Sequence, residues 1–401
     1  MPNKMKIAIA QAGGPTAVIN SSLYGFLKGF SHCDNVQVYG IYGGIAGLID
    51  GRFIHLNHRA VGEYEWLQNV PGAALGAGRK PLSEQDIGRI ILQLKEKGVS
   101  ALAIVGGNGT MWSCNQIAET AREMGYNLQV IGIPKTVDND LVETDHTPGY
   151  GSAARFVAHA VRDLAFDLES MKNFENVRVV ETMGRNVGWL AASSTYFRNS
   201  PDDAPHIVCL PEIPFNMDQF LESVNKVHRR LGYAIVVVSE GLKDKHGNSV
   251  SEIELSKSRD HKVLGGVGGL VSERITTELG LSSRYENLGI LQRCTHFMVS
   301  NQDRLEARMV GEKAAEALLE GKSDIMIGLQ RGLGHAMTSS EVPLSRVVNQ
   351  ERSLESQFIS DDNFVPIASS FKEWLYPIIG ETCEYGRMEM RPHVKAIGDM
   401  K

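Results

Sequence analysis

The segment PKTVDND, at residues 134–140, concentrates two carboxylates, an ammonium group and a hydroxyl directly after an apolar run. An ionised Asp138 could accept a proton from a substrate hydroxyl. Lys135 could neutralise phosphate charge in a transition state, with Thr136 and Asp140 beside it. A solvated turn would contain the same residue types, so the motif by itself leaves both interpretations open.

A second interruption, VGGNGTM at residues 105–111, also follows an apolar run. Glycines allow positive φ and a close approach of the backbone to a ligand. A helix beginning near Met111, with Thr110 as its N-cap, would direct free N–H groups toward an anion. The segment indicates a phosphate cradle, with an ordinary strand-to-helix turn as the alternative. It is not a Walker loop, which needs GxxxxGK[ST]. The GKS at 321–323 is not one either, because Glu316 stands where the leading glycine is needed.

Basic residues follow several other apolar runs. The MGR at 183–185 places Arg185 after one of them, and its guanidinium fork matches phosphate oxygens. A lone arginine is more often a surface or ion-pair residue. Several cations at separate strand ends together favour an anionic ligand, and the further candidates are Arg79, Lys80, Arg284 and Arg293.

Short apolar runs alternate with amphipathic stretches along the chain. The predicted strands are 7–10, 36–42, 101–105, 128–133, 177–180, 207–210 and 234–238. The predicted helices are 18–30, 84–97, 111–124, 153–171, 217–231, 264–279 and 305–319. This alternation is typical of α/β folds with parallel sheets covered by helices. Ligands bind such sheets at the carboxyl ends of the strands, where QAGGPT, GGNGT, PKTVDND, ETMGRNVGW and SEGL occur.

These strands are too many for one small sheet, so we expect two Rossmann-like lobes with the active site in the cleft between them. Residues 1–150 with roughly 294–345 are predicted to form one lobe. Residues 151–293 with the C-terminal segment 346–401 are predicted to form the other.

The composition excludes several classes of protein. The 41 Lys and Arg residues against 47 Asp and Glu give a net charge of −6 without a basic run, so neither nucleic acid nor an anionic membrane is an expected partner. The five cysteines are scattered, as in a reduced intracellular protein. The absence of a long apolar stretch predicts a cytoplasmic protein. The twelve histidines form no metal-binding pattern.

The ordered set GGPT, GGNGT, PKTVDND, MGR, SEG and LQR resembles the phosphofructokinase family, from about residue 6 to about 330. The pairing of GGxGT with PKT[IV]DND is far more specific than either motif alone. The resemblance implies a homodimer or homotetramer with Mg²⁺ that phosphorylates the C1 hydroxyl of fructose 6-phosphate to fructose 1,6-bisphosphate, a step of glycolysis. It assigns the donor to the first lobe and the sugar phosphate to the second.

The resemblance also implies a role for each matched residue. Asp138 is the base, acting with Lys135, Thr136 and Arg185. The donor phosphates are bound by Gly13, Gly14, Arg79, Lys80, Gly107, Asn108, Gly109 and Thr110, with Asn108 also at the metal. The sugar phosphate is bound by Thr136, Asp138, Asp140, Met183, Gly184, Arg185, Glu240, Arg284 and Arg293.

The chain departs from the family pattern at three places and combines features of two branches at a fourth. Asn108 replaces a magnesium-holding Asp and should bind the ion less strongly. Asn176 replaces an arginine that many ATP enzymes present to the neighbouring subunit, and Ile290 replaces a sugar-binding histidine. Gly109 is typical of ATP enzymes, whereas Lys135 is typical of pyrophosphate enzymes.

Because room at Gly109 decides whether a nucleotide fits, the sequence favours ATP over pyrophosphate. The pyrophosphate-dependent enzyme is the first alternative, and another sugar phosphate remains open as the acceptor. A non-catalytic regulatory homologue that binds sugar phosphate is the second alternative. A dinucleotide-dependent dehydrogenase is the third, although no convincing GxGxxG follows the first strand.

Overall fold

The computed structural model describes residues 4–78, 80–250, 266–332, 336–383 and 385. Within them a seven-stranded sheet has the order β11-β10-β5-β4-β1-β2-β3. It is parallel except at its edges, where β3 and β11 pair antiparallel with their neighbours. Its strands are β1 (Met5–Gln11), β2 (Val36–Ile41), β3 (Phe53–Leu56), β4 (Ala101–Gly106), β5 (Gln129–Pro134), β10 (Ile325–Arg331) and β11 (Met337–Pro343).

A second, four-stranded sheet has the order β7-β8-β6-β9 and is parallel throughout. Its strands are β6 (Val177–Thr182), β7 (Ile207–Cys209), β8 (Ala234–Ser239) and β9 (Ser283–Asn287). The two sheets draw their strands from the two predicted sets of segments. The exact boundaries between the lobes stay a prediction.

Helices cover both sheets. Those longer than eight residues are α1 (Ile19–Gly29), α3 (Glu84–Lys97), α4 (Asn108–Glu123), α5 (Tyr150–Met171), α7 (Met217–Leu231), α8 (Val267–Leu279), α10 (Asn301–Leu319) and α12 (Ser369–Ile379). The shorter ones are α2 (Gly44–Ile49), α6 (Trp189–Ser193), α9 (Leu291–Cys294) and α11 (Leu344–Val347). Short 3₁₀ helices cover His58–Asn69, Ser194–Phe197 and Ser356–Phe358.

The apolar strands have no polar face because helices lie on both sides of them. In β1, Ile7 and Ile9 belong to one core cluster, whereas Ala8 and Ala10 belong to the cluster on the opposite face. Side chains alternate across a strand, so a strand buried on both faces reads as a continuous apolar run. The predicted α/β class with mostly parallel sheets covered by helices is confirmed.

The C-terminal segment packs on the second sheet. Trp189 of α6 lies within 6.2 Å of the rings of Phe358, Phe371 and Trp374, measured between centroids. Large aromatic side chains bury much apolar surface and favour such tilted or edge contacts. This cluster ties residues 358–374 to the helix that follows the MGR loop.

A buried histidine contacts two acids where the chain leaves the first sheet. His146 lies 2.6 Å from Glu306 and 2.8 Å from Asp145, which also binds Arg331. Burial alone would lower the pKa of His146, but the two acids outweigh it and raise the pKa from 6.5 to about 9. The imidazolium is therefore part of the folded structure at neutral pH.

The free energy of unfolding should fall with increasing pH because of this residue. A pKa raised on folding gives stability that is complete below about 6.5 and is lost as the pH rises through about 9. The full span is roughly 3 kcal/mol. Urea unfolding between pH 6 and 10 measures it, with His146→Gln as the comparison. An equal slope in the variant would contradict the assignment.

No helix of the described residues is long and apolar enough to cross a membrane.

Candidate functional site

The first strand of the larger sheet ends in a glycine turn that receives a buried lysine. Gly13 has a φ of +74°, which favours glycine, and its N–H donates to Gly78 O at 3.1 Å. Lys135 comes from the end of β5 and its Nζ donates to Gly14 O at 2.7 Å. A Cβ on Gly13 would lie only 3.2 Å from this Nζ. The ammonium group is thus placed at the predicted donor-phosphate turn.

The GGNGT segment forms a second turn beside the first. Helix α4 begins at Asn108 and its N-cap is Gly107. The prediction of a start near Met111 with Thr110 as N-cap was therefore wrong, because the helix starts a turn earlier and encloses Thr110. A Cβ added to Gly109 would meet nothing within 4 Å, so this position faces open space. The helix end is left accessible to a ligand.

The GGNGT and PKTVDND loops, which the sequence predicted to converge, are joined by hydrogen bonds. Asn108 Nδ2 donates to Asp140 Oδ2 at 2.9 Å and to Asp140 O at 3.1 Å. Burial raises the pKa of Asp140, and the charge of Glu351 adds to the rise, while hydrogen bonds from Asn108 and Thr136 oppose it. A nearby cation would stabilise the charged form of this buried carboxylate.

Two oxygens are suited to such a cation. Asn108 Oδ1 and Asp140 Oδ1 are buried and have no hydrogen-bond partner among the described residues. Magnesium prefers oxygen ligands and often uses one or two carboxylates together with substrate phosphates. Within the same residues, no group of three or more His, Cys, Asp or Glu side chains could hold a metal. A divalent ion here would therefore need ligands from the substrate.

Asp138 lies in the same loop, half-buried, between Thr136 and Asp140. Its backbone N–H donates to Thr136 Oγ1 at 3.1 Å. Thr136 is itself buried, and its Cβ lies 3.7 Å from the place of a Cβ on Gly107. The predicted base, the lysine and the glycine turns therefore belong to one compact region at the carboxyl ends of β1, β4 and β5.

The MGR loop packs against the SEG loop at the corresponding ends of β6 and β8. Ser239 Oγ donates to Gly184 O, and Glu240 N–H donates to Thr182 O at 3.0 Å. A Cβ on Gly241 would lie 1.7 Å from Arg185 O, so only glycine permits this approach. Both Arg185 and Glu240 present exposed side chains, which leaves them accessible to a ligand.

Helix α9 joins the same loop from the other side. Gln292 is buried, and its Oε1 accepts a hydrogen bond from Met183 N–H at 3.0 Å. The neighbouring Arg293 has a buried Nε without a hydrogen-bond partner among the described residues. Ile290, at the position where the resemblance predicts a sugar-binding histidine, is 59% exposed. The structure therefore brings Met183, Gly184, Arg185, Glu240 and Arg293 into one neighbourhood.

Two predicted residues do not join these groups, and a third cannot be placed. Arg79 lies outside the described residues. Lys80 is paired on the surface with Asp86 at 3.1 Å. Arg284 stands at the amino end of β9, opposite Arg178 of β6, and contacts Glu175 at 3.2 Å. Within one chain Arg284 thus lies at the wrong end of the sheet for the Met183 loop.

Sequence reasoning missed the residues that connect the two groups of loops. Asn186 Nδ2 donates to Glu351 Oε1 at 3.0 Å, and Arg352 N–H donates to Asp140 O at 2.8 Å. Glu212 Oε1 accepts from Gly188 N–H at 2.8 Å. No motif marks Glu212, Glu351 or Arg352, because their contacts join segments far apart in the sequence.

The family model for phosphofructokinase matches residues 6–318. The chain belongs to the phosphofructokinase family. A sulfofructose kinase of Alkalicoccus urumqiensis is 39% identical over 375 residues, covering 94% of this chain and 96% of that one. A pyrophosphate–fructose 6-phosphate 1-phosphotransferase of Rhodospirillum rubrum is 34% identical, covering 94% and 95%.

The fold agrees with this assignment. The crystal structure of a pyrophosphate-dependent phosphofructokinase from Marinobacter aquaeolei has a TM-score of 0.85 at 30% identity, covering 94% of this chain and 92% of that one. The predictions of this family and of a phosphotransferase are confirmed, and the dehydrogenase alternative is excluded. Members of the family generally need a divalent metal.

Proposed function

We propose that this protein transfers a phosphoryl group from pyrophosphate to the C1 hydroxyl of fructose 6-phosphate, releasing phosphate and fructose 1,6-bisphosphate in the cytoplasm. The observation that carries the proposal is the joining of the glycine turns to the PKTVDND loop, with Lys135 Nζ 2.7 Å from Gly14 O and Asn108 bonded to Asp140 at 2.9 Å. Phosphoryl transfer needs positioning and charge neutralisation more than covalent chemistry.

Each residue has a distinct part in this reaction. Asp138 takes the proton of the C1 hydroxyl as that oxygen attacks the terminal phosphorus of pyrophosphate. The bond from phosphorus to the bridging oxygen breaks, and phosphate leaves. Lys135 and the amides at the glycine turns balance the charge that spreads over the phosphoryl oxygens. Arg185 lies on the sugar side, where it can bind the transferred group.

Asn108 and Asp140 would hold the divalent ion, and Mg²⁺ suits their oxygen ligands. When bound, it supplies charge neutralisation to the donor phosphates. The amide of Asn108 contributes no charge, so Lys135 carries more of this task than in a site with two carboxylates.

We propose pyrophosphate as the donor, whereas the sequence analysis favoured ATP. Room at Gly109 favoured ATP, but the relatives named for pyrophosphate cover more than nine-tenths of this chain and share its length. Buried Lys135 is the second support, because it places a full charge at the turn that a short donor must use. An initial-rate assay with each donor and Mg²⁺ tests this proposal. Turnover with ATP but not with pyrophosphate would overturn it.

Sulfofructose is a second candidate acceptor. The relative named sulfofructose kinase is 39% identical over nearly the whole chain. A sulfonate carries a single negative charge where a phosphate carries up to two, and a single chain brings Arg185 and Arg293, but not Arg284, to the sugar side. Assaying sulfofructose beside fructose 6-phosphate with each donor decides the acceptor. A protein that binds either sugar without turnover would instead be the regulatory homologue.

The variant Gly109→Asp should discriminate between the donors. A Cβ there meets nothing within 4 Å, so the fold should be unchanged. The new carboxylate would repel the α-phosphate of ATP, and we expect kcat/KM for ATP to fall at least about tenfold. Pyrophosphate turnover should be retained.

The matched control is Gly109→Ala, which adds bulk without charge. If the wild type does not turn over ATP, inhibition of the pyrophosphate reaction by ATP provides the same comparison. Unchanged use or binding of ATP in the Asp variant would refute this account of Gly109.

A homo-oligomer would account for Arg284. Since its guanidinium lies at the amino end of β9, it could reach a sugar phosphate only in the site of another copy. We therefore retain the predicted homodimer or homotetramer as part of the proposal.

A further inference from the structure

Residues 351–354, here called the bridging segment, lie between the PKTVDND loop and the MGR loop. They follow the part of the chain that the family model matches, which ends at residue 318. The segment has no secondary structure. Its position is fixed instead by contacts to both loops.

The first set of contacts is made to the loop that contains the proposed base. Arg352 N–H donates to Asp140 O at 2.8 Å. The guanidinium donates to the carbonyl oxygens of Thr144, at 3.1 Å, and Asp145. Glu355 holds its other edge at 2.6 Å. Arg352 therefore donates hydrogen bonds to the backbone on both sides of the turn that follows Asp140.

The second set reaches the sugar loop. The Arg352 guanidinium stacks 4.5 Å from the ring of Trp189, whose Nε1 donates to Arg352 O at 3.2 Å. Leu354 N–H and Gly188 N–H share Glu212 Oε1, at 2.9 and 2.8 Å. Glu351 Oε1 accepts from Asn186 Nδ2. The residues next to Arg185 are thus fixed to the same short segment.

We propose that the bridging segment sets the spacing between the base loop and the sugar loop, and that Arg352 is the positioning residue on which this spacing depends. Its side chain is 12% exposed, and its planar fork and stacking surface serve the two loops at once. A lysine could supply the charge but not the fork.

Spacing matters because the hydroxyl, its base and the phosphoryl group must each be held within about 0.5 Å of the productive geometry. A misplacement of about 1 Å can cost about 100-fold in rate. The inference rests on the proposed function for its effect on turnover. Its structural part, the ordering of two loops by Arg352, does not depend on the identity of the substrates.

The test compares Arg352→Ala with Arg331→Ala. Arg331 is a matched control because it is 15% exposed and makes a two-pronged pair with Asp145 at 2.8 and 3.1 Å. It also lies over an aromatic ring, that of Trp374 at 5.9 Å, but its hydrogen bonds go to the side chain of Asp145, beyond residues 134–141 and 183–190. Both variants should lower Tm similarly.

Only Arg352→Ala should lower kcat, by about 10- to 100-fold. The KM of each substrate should stay within about threefold, because the Arg352 side chain is 12% exposed and its guanidinium bonds to the carbonyl of Thr144 and to Glu355. Hydrogen exchange should become faster in peptides covering 135–141 and 183–190 in this variant, and not in Arg331→Ala. Equal losses of kcat in both variants, or wild-type exchange in Arg352→Ala, would overturn the proposal.

Two other results are possible: a wild type without turnover, and an Arg352→Ala variant that does not fold. If the wild type shows no turnover with any donor, the proposed function fails, while the exchange comparison still decides the role of Arg352. If Arg352→Ala does not fold, Arg352→Lys replaces it. A partial loss of kcat with unchanged KM then supports the proposal, and wild-type kcat contradicts it.

Discussion

Replacing Asp138 with asparagine is expected to lower kcat by about 10²- to 10⁴-fold, the usual contribution of a general base. Asparagine has the same shape and leaves the hydrogen bond from its backbone N–H to Thr136 Oγ1 in place. It cannot take the proton of the sugar hydroxyl. The KM for fructose 6-phosphate should change much less than kcat, because the lost interaction belongs to the transition state.

The matched control is Glu143→Gln, an exposed carboxylate a few residues along the same segment. It removes the same charge without touching the proposed centre, so its kcat should stay near the wild-type value. Steady-state rates of both variants, with thermal melting to verify folding, make the measurement. If Asp138→Asn retained wild-type turnover, the base would have to be a different group.

Replacing Lys135 with methionine is the second change expected to have a large effect. The lysine is 4% exposed and its Nζ lies at the Gly13–Gly14 turn, where the donor phosphates are proposed to bind. Removing one preorganised donor of this kind costs about 10²- to 10³-fold in kcat. The loss should be larger here than usual, since the neutral Asn108 supplies no charge to the same phosphates.

Methionine keeps the length of the side chain but leaves Gly14 O without its donor, so some stability should also be lost. Arginine should not restore activity, because Lys135 is 4% exposed and its Nζ already lies 2.7 Å from Gly14 O, which leaves little room for the larger guanidinium. Pre-steady-state rates with saturating pyrophosphate separate slower chemistry from weaker binding. A variant affected only in the KM for pyrophosphate would show that Lys135 binds the donor without assisting transfer.

The apolar runs predicted most of the interior strands because burial on both faces imposes them, but the interior strand β10 and the short edge strand β3 were missed. β6 and β8 read as Val-rich segments, and their positions agree within two residues of the prediction. The polar edge strands β9 and β11 were missed, because SRYEN and MTSSEVP lack a continuous apolar face. Without β9, the sequence could not reveal that Arg284 stands at the amino end of its strand.

The motifs predicted which loops meet but not how they are held. Spacing after strands was enough to bring Lys135, Asn108 and Asp140 together, since parallel strands present their carboxyl ends at one edge. The bridging segment could not be predicted in the same way. Its contacts to the rest of the site are hydrogen bonds and one stacked guanidinium, and they join residues at least 142 positions apart in sequence.

The central claim is that the convergent loops move a phosphoryl group from pyrophosphate to the sugar C1 oxygen. Phosphorus-31 NMR of the wild type with Mg²⁺, fructose 6-phosphate and pyrophosphate tests it directly. We expect the pyrophosphate signal to decay while inorganic phosphate and a new C1 phosphomonoester appear in equal amounts, with Asp138→Asn showing neither at the same time point. Pyrophosphate that remains intact, or that is hydrolysed without a new phosphomonoester, would contradict it.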